Sequence, residues 1–123
     1  MIGTIAIIED DDALRDSARA LLESYDYGVQ EHSSGEDYLQ CRGEADCLLV
    51  DHHMPGLTGL DLLELLRKGG DLTPALILTG TNDSTVAPRA KRIGVKLLRK
   101  PVTSGHLVRS IENARRTGAK QSA

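Results

Sequence analysis

Five polar groups in this chain stand where short apolar runs stop. Glu9 and Asp10 follow "TIAII", Asp51 closes "CLLVD", Thr79 closes "ALILT", and Lys100 follows "KLLR". Three carboxylates gathered at one place repel one another and raise each other's pKa values. A cation removes that conflict, and a few hard oxygen donors suit Mg2+, which keeps several of its waters. Asp10 and Asp51 would ligate directly, the backbone carbonyl of His53 would be a third ligand, and Glu9 would act through water. The side chains of His52 and His53 offer a different site, for a transition metal, but no third His or Cys lies near them in sequence. Lys100 beside Asp51 would attract it by about 4 kcal/mol at roughly 4 Å and an effective dielectric of about 20, an upper guide. Pro101 permits a cis bond that aims the lysine. Thr79, followed by Gly80, leaves room for a hydroxyl to meet an incoming phosphoryl oxygen. Asp51 taken alone fits a helix cap as well as a reactive crevice, so its neighbours must decide.

These groups meet only if the runs that carry them are parallel strands of one sheet. "TIAII" reads as a buried strand, followed by a helix from Ala13 to Ser24 with Leu14, Ala18, Leu21 and Leu22 on one face. Asp11 and Asp12 fit the cap of that helix. A second strand is entered at Gly28. Ser33 and Glu36 have capping-box spacing for a second helix. "CLLVD" is the third strand, Leu60 to Arg67 a Leu-rich helix ended by glycine, and "ALILT" the fourth strand. Val86 to Ile93 is a basic helix ended by Gly94, and "KLLR" the fifth strand. Ser104 can cap a last helix with Leu107, Val108, Ile111 and Ala114 facing inward. The strands are apolar runs rather than alternating patterns, and each is followed by a helix. That predicts an α/β fold, a doubly wound parallel sheet with right-handed crossovers, and ligands beyond the carboxyl ends of the strands.

The chain has 123 residues, the size of one domain. Residues 1–118 are expected to form it, with 119–123 a flexible tail. No run approaches the roughly 18 apolar residues of a membrane span, and the start does not read as a signal peptide. A cytoplasmic protein without membrane contact is expected, with Cys41 and Cys47 as reduced thiols. The net charge of −3 conceals an asymmetry: residues 1–85 carry 17 acids and 5 bases, residues 86–123 carry 10 bases and 1 acid. Such a division points to a partner surface on the basic half. With no Trp or Phe, the chain has no platform for stacking bases.

The segments "IIEDDDALR", "LLVDHHMPGLTG", "LILTG" and "LLRKPV", in this order and spacing, resemble the landmarks of the receiver domain of bacterial two-component response regulators. The resemblance covers nearly the whole chain. It implies a flavodoxin-like, five-stranded sheet in order 2-1-3-4-5. It implies that Asp51 accepts a phosphoryl group from a sensor histidine kinase, with Glu9 and Asp10 as the acidic pair that binds Mg2+, and His53 as the carbonyl ligand. Thr79 is then the switch hydroxyl and Lys100 the lysine that contacts phosphate. His53 and Thr81 match positions that tune attack of water on the phosphoryl group. The expected role is a signalling domain that promotes its own phosphorylation and dephosphorylation, rather than an enzyme.

Three departures stand out. Leu97 occupies the place of the usual aromatic switch residue. Pro88 falls in the fourth helix, where a proline costs up to roughly 3 kcal/mol. The segment from Gly94 to Lys100 is one residue short of the commonest pattern and resembles the receivers of hybrid histidine kinases. Nothing after the receiver resembles a DNA-binding or enzymatic output domain, so a stand-alone receiver is expected, the alternative being a domain of a hybrid kinase. The basic face predicts an acidic partner, such as a histidine phosphotransfer protein, with any homodimer using another surface such as the first helix. A small Mg2+-dependent phosphatase with an aspartate nucleophile is the competing enzyme reading, but it wants D-x-D where this chain has "DHH". A flavodoxin would need a phosphate cradle where this chain has "EDDD".

Overall fold

The computed structural model describes residues 2–80 and 84–122, with side chains as far as Thr117. Strands and helices alternate: β1 (Thr4–Ile8), α1 (Asp12–Ser24), β2 (Gly28–His32), α2 (Gly35–Cys41), β3 (Cys47–Asp51), α3 (Gly59–Lys68), β4 (Ala75–Thr79), α4 (Val86–Arg92), β5 (Lys96–Arg99) and α5 (Ser104–Ser122). The strands form one parallel sheet in order β2-β1-β3-β4-β5, the expected doubly wound architecture.

Both faces of the sheet are buried, which explains why its strands read as continuous apolar runs. Ala6, Ile8, Leu48, Val50 and Ile77 face a cluster completed by Leu60, Leu63 and Leu66 of α3 and by Val86 and Ala90 of α4. The alternate positions Ile5, Ile7, Leu49, Leu76 and Leu98 face a second cluster with Leu22 of α1 and Leu107 and Ile111 of α5. Burying an aliphatic side chain of this size contributes roughly 1.5–3 kcal/mol, so these two layers hold the strand ends in register.

Several local expectations shift. Leu14 is half exposed rather than inward. It lies well round the α1 surface from Leu22, so α1 buries Leu22 and half-buries Ala18 and Leu21 instead. Asp11 is the α1 cap, its carboxylate accepting from the Leu14 N–H at 3.1 Å, and Asp12 begins the helix. Ser34, not Ser33, caps α2, accepting from the Asp37 N–H at 2.9 Å. Glu36 takes no part in that cap; its carboxylate turns to the Leu57 N–H. At α5, Thr103 rather than Ser104 accepts from the His106 N–H at 3.2 Å, and the helix runs through Gly118 to Ser122.

Pro88 is the third residue of α4. The first four N–H groups of a helix have no intrahelical partner, so a proline there removes nothing and the expected penalty does not apply. Leu97 is half-buried against the α3/α4 cluster. Both cysteines are free thiols, Cys41 exposed and Cys47 buried. Among the described residues no helix is long and apolar enough to cross a membrane.

Candidate functional site

Parallel register brings the polar strand ends to one edge. Ile8 pairs with Val50, Asp51 with Leu78, and Thr79 with Arg99, so Glu9, Asp51, Thr79 and Lys100 all stand at the carboxyl side of the sheet. Asp51 is almost fully buried, at 4% exposure, and its Oδ1 accepts from the Lys100 Nζ at 2.8 Å. Among the described residues Lys100 is its only hydrogen-bond partner, so Asp51 caps no helix. Thr58 does that work for α3 in a reciprocal box with Asp61. The alternative left open by the sequence is thereby resolved toward a crevice.

Glu9, Asp10 and Asp51 each offer a carboxylate oxygen, all within 4.8 Å of one another. Burial, then the charge of Asp51, push the Glu9 carboxyl up to about 7. The Asp11 N–H and Lys100 act in the opposite direction without cancelling that rise. An acid crowded into protonation beside two others is the conflict a divalent cation relieves, and an all-oxygen donor set suits Mg2+. The residues therefore fit the ion. His52 does not join them: it is buried, its Nδ1 lies 3.5 Å from the Leu60 N–H, and burial holds its imidazole below the ordinary value. Among the described residues no group of three His, Cys, Asp or Glu ligands includes either histidine, and the transition-metal alternative is not supported.

The crevice beside Asp51 encloses about 170 Å³ between Glu9, Leu14, Ala18, Leu78 and Lys100. Thr79 does not line it. The alternation that sends Ile77 toward α3 and α4 carries Thr79 to the same side, where its buried hydroxyl lies 3.0 Å from the His53 Nε2. The site thus has two halves: Glu9, Asp10, Asp51 and Lys100 on one, Thr79 and His53 on the other. Thr81 lies outside the described residues.

Three devices hold this edge. Gly59 begins α3 so close to β3 that a Cβ would sit 2.5 Å from the Asp51 carbonyl oxygen. The Arg15 Nη1 donates to the Glu9 carbonyl at 2.8 Å. The Lys100–Pro101 peptide is cis, and the Lys100 N–H donates to the Thr79 carbonyl at 2.9 Å.

The His53–Thr79 contact was not visible in the sequence, because 26 residues separate the pair. Nor was the pairing of Arg89, whose guanidinium bonds Glu64 at 2.7 Å and Asp61 at 3.2 Å, fastening α4 to α3. Arg115 is likewise engaged, by Glu112 at 2.9 Å and by the Ile2 carbonyl, over the ring of Tyr27. The exposed basic face is therefore smaller than expected; Lys91, Arg92, Lys96 and Arg109 remain exposed on it.

Residues 5–112 match the family model of the response regulator receiver domain, and the chain belongs to that family. The transcriptional regulatory protein FixJ of Azorhizobium caulinodans is 32% identical over 120 residues, covering 95% of this chain and 57% of that protein. FixJ of Bradyrhizobium diazoefficiens is 36% identical over 115 residues, covering 91% and 56%. The chain spans little more than half the length of these relatives. A receiver domain protein from Clostridium thermocellum has the same fold, with a TM-score of 0.88 at 29% identity over 98% of this chain and 99% of that one. Acceptance of a phosphoryl group and binding of Mg2+ are general features of receiver domains.

Proposed function

We propose that this chain is a phosphoacceptor receiver in which Asp51 takes a phosphoryl group from a sensor histidine kinase in the cytoplasm and relays the change to a partner protein. The observation that carries this reading is the buried Asp51 carboxylate, bonded among the described residues to Lys100 alone and set beside Glu9 and Asp10.

Asp10 and Asp51 would hold Mg2+ with the His53 carbonyl, and Glu9 would act through water. When bound, the ion offsets negative charge on the carboxylate and the phosphoryl oxygens. An Asp51 oxygen attacks phosphorus in line. The new P–O bond forms as the P–N bond to the kinase histidine breaks, and the imidazole leaves with that electron pair. Lys100 neutralises charge at Asp51 in the resting state and meets the phosphoryl oxygens afterwards, so catalysis is positioning and electrostatics. The product carries roughly −1.5 to −2 charges and new acceptor oxygens. Thr79 then turns from His53 toward the phosphoryl group. The exposed bases of α4, β5 and α5 fit an acidic partner.

Incubation with acetyl phosphate and Mg2+ tests the reading. A receiver gains the mass of one phosphoryl group per chain and stops. Repeated release of phosphate would indicate a phosphatase, and no uptake would overturn the proposal.

A further inference from the structure

A second cleft lies at the opposite end of the sheet from Asp51, between the starts of β4 and β5 and the side of α5. It encloses about 480 Å³, within the range of roughly 300–1,000 Å³ usual for sites that hold small molecules. Arg67, Lys96, His106 and Arg109 line it, and no Asp or Glu does. Five of the arginines outside the cleft, Arg15, Arg19, Arg42, Arg89 and Arg115, each meet a carboxylate. Among the described residues Arg67, Lys96 and Arg109 meet none.

Arg67 is the most telling of these. Its guanidinium is half-buried, and its two hydrogen bonds go to carbonyls, from Nη1 to Asp71 at 2.9 Å and from Nε to Ile93 at 3.4 Å. The Asp71 carboxylate is turned away, to Arg42 and Thr73. Burial works against the Arg67 charge, the nearby Asp71 carboxylate offsets that only in part, and no carboxylate bonds the guanidinium, so a ligand anion would add to its stabilisation. Leu72, Pro74, Ala75 and Ala114 also line the cleft, and Ser110 and Asn113 add polar groups.

We propose that this cleft binds a phosphate monoester with a flat or apolar organic body, of the nucleoside monophosphate class. Several cations lining one cleft suit a dianion better than a single carboxylate, and guanidinium forks match phosphate oxygens in pairs. The apolar lining residues take the organic body. A concave site of this volume fits a small molecule. The site is separate from the Asp51 crevice, so its occupant would act alongside phosphorylation.

The test is titration of the whole chain with adenosine 5′-monophosphate, followed by amide NMR, with adenosine, inorganic phosphate and an oligoglutamate peptide in parallel. Saturable shifts at Leu72, Lys96, Arg109 and Asn113 are expected with the monophosphate, at least about tenfold tighter than with adenosine or phosphate alone. Lys96→Glu with Arg109→Glu, both exposed positions, should weaken binding by about tenfold or more and leave acetyl phosphate uptake at Asp51 unchanged. Absence of saturable shifts, shifts confined to the Asp51 crevice, or affinity indifferent to both reversals would overturn the proposal. So would preferential binding of the peptide, which would make the cleft a protein-docking surface.

Discussion

Replacing His53 by Leu removes the nitrogen that lies 3.0 Å from the buried Thr79 hydroxyl and leaves the backbone carbonyl that would face Mg2+. The bond exists only while Thr79 points away from the Asp51 crevice. A neutral hydrogen bond contributes about 1 kcal/mol net, so its loss should raise the resting state by that amount relative to the phosphoryl-bound state. A population ratio then moves about fivefold toward the active form. The assay is half-saturation by beryllofluoride with Mg2+, a phosphoryl mimic, read from amide NMR shifts in α4. His53→Leu should reach half-saturation at roughly one-fifth of the wild-type concentration. His53→Gln, whose amide reaches a similar position, should return toward wild type. In a Thr79→Val background the His53 substitution should have no effect, as a double-mutant cycle requires. An unchanged midpoint in His53→Leu, or the same shift with and without the Thr79 hydroxyl, would refute the contact as a restraint on switching.

Gly59→Ala forces a methyl group against the Asp51 carbonyl, which a Cβ would approach to 2.5 Å; destabilisation of about 1–3 kcal/mol or more is expected in urea titrations, with slowed phosphoryl uptake. Arg89→Gln removes the ties to Asp61 and Glu64; these groups are partly exposed, so only about 0.5–1 kcal/mol should be lost, while hydrogen exchange in α4 quickens. The Glu9 carboxyl, raised from 4.5 to about 7, keeps a proton in the folded state that the unfolded chain has released. Without Mg2+ its contribution to stability is therefore full below about 4.5 and declines as pH rises through about 7. His52, depressed by burial, acts with the opposite sign below its ordinary value, so the difference between wild type and Glu9→Gln in urea midpoints from pH 5 to 7.5 isolates Glu9. Mg2+ should restore stability at the upper end of that range in wild type.

Much of the fold was legible because a parallel sheet covered on both faces writes itself as short apolar runs, and glycines mark several element ends. Once "TIAII", "CLLVD", "ALILT" and "KLLR" are taken as parallel, Glu9, Asp10, Asp51 and Lys100 must share an edge. The split that leaves Thr79 with His53 follows from strand alternation, a signal present in the sequence but usable only after the facing clusters are known. The Arg89 clamp had no such signal, because helix packing rather than local period sets which residue of α3 it meets. The cap of α2 moved by one residue since two adjacent serines satisfy the same local pattern. The start of α4 at Val86 was read correctly; Pro88 was misjudged because the third residue of a helix donates no intrahelical hydrogen bond, so the interior penalty does not apply there.

Chemical mapping of the labelled residue shows whether Asp51 is the phosphoacceptor. After acetyl phosphate and Mg2+, borohydride reduction converts an aspartyl phosphate to homoserine, which peptide mass spectrometry can place in the chain. Homoserine is expected at position 51 alone, with no label in Asp51→Asn. Homoserine at Asp10 or another position in wild type, or undiminished labelling of Asp51→Asn, would contradict that role for Asp51.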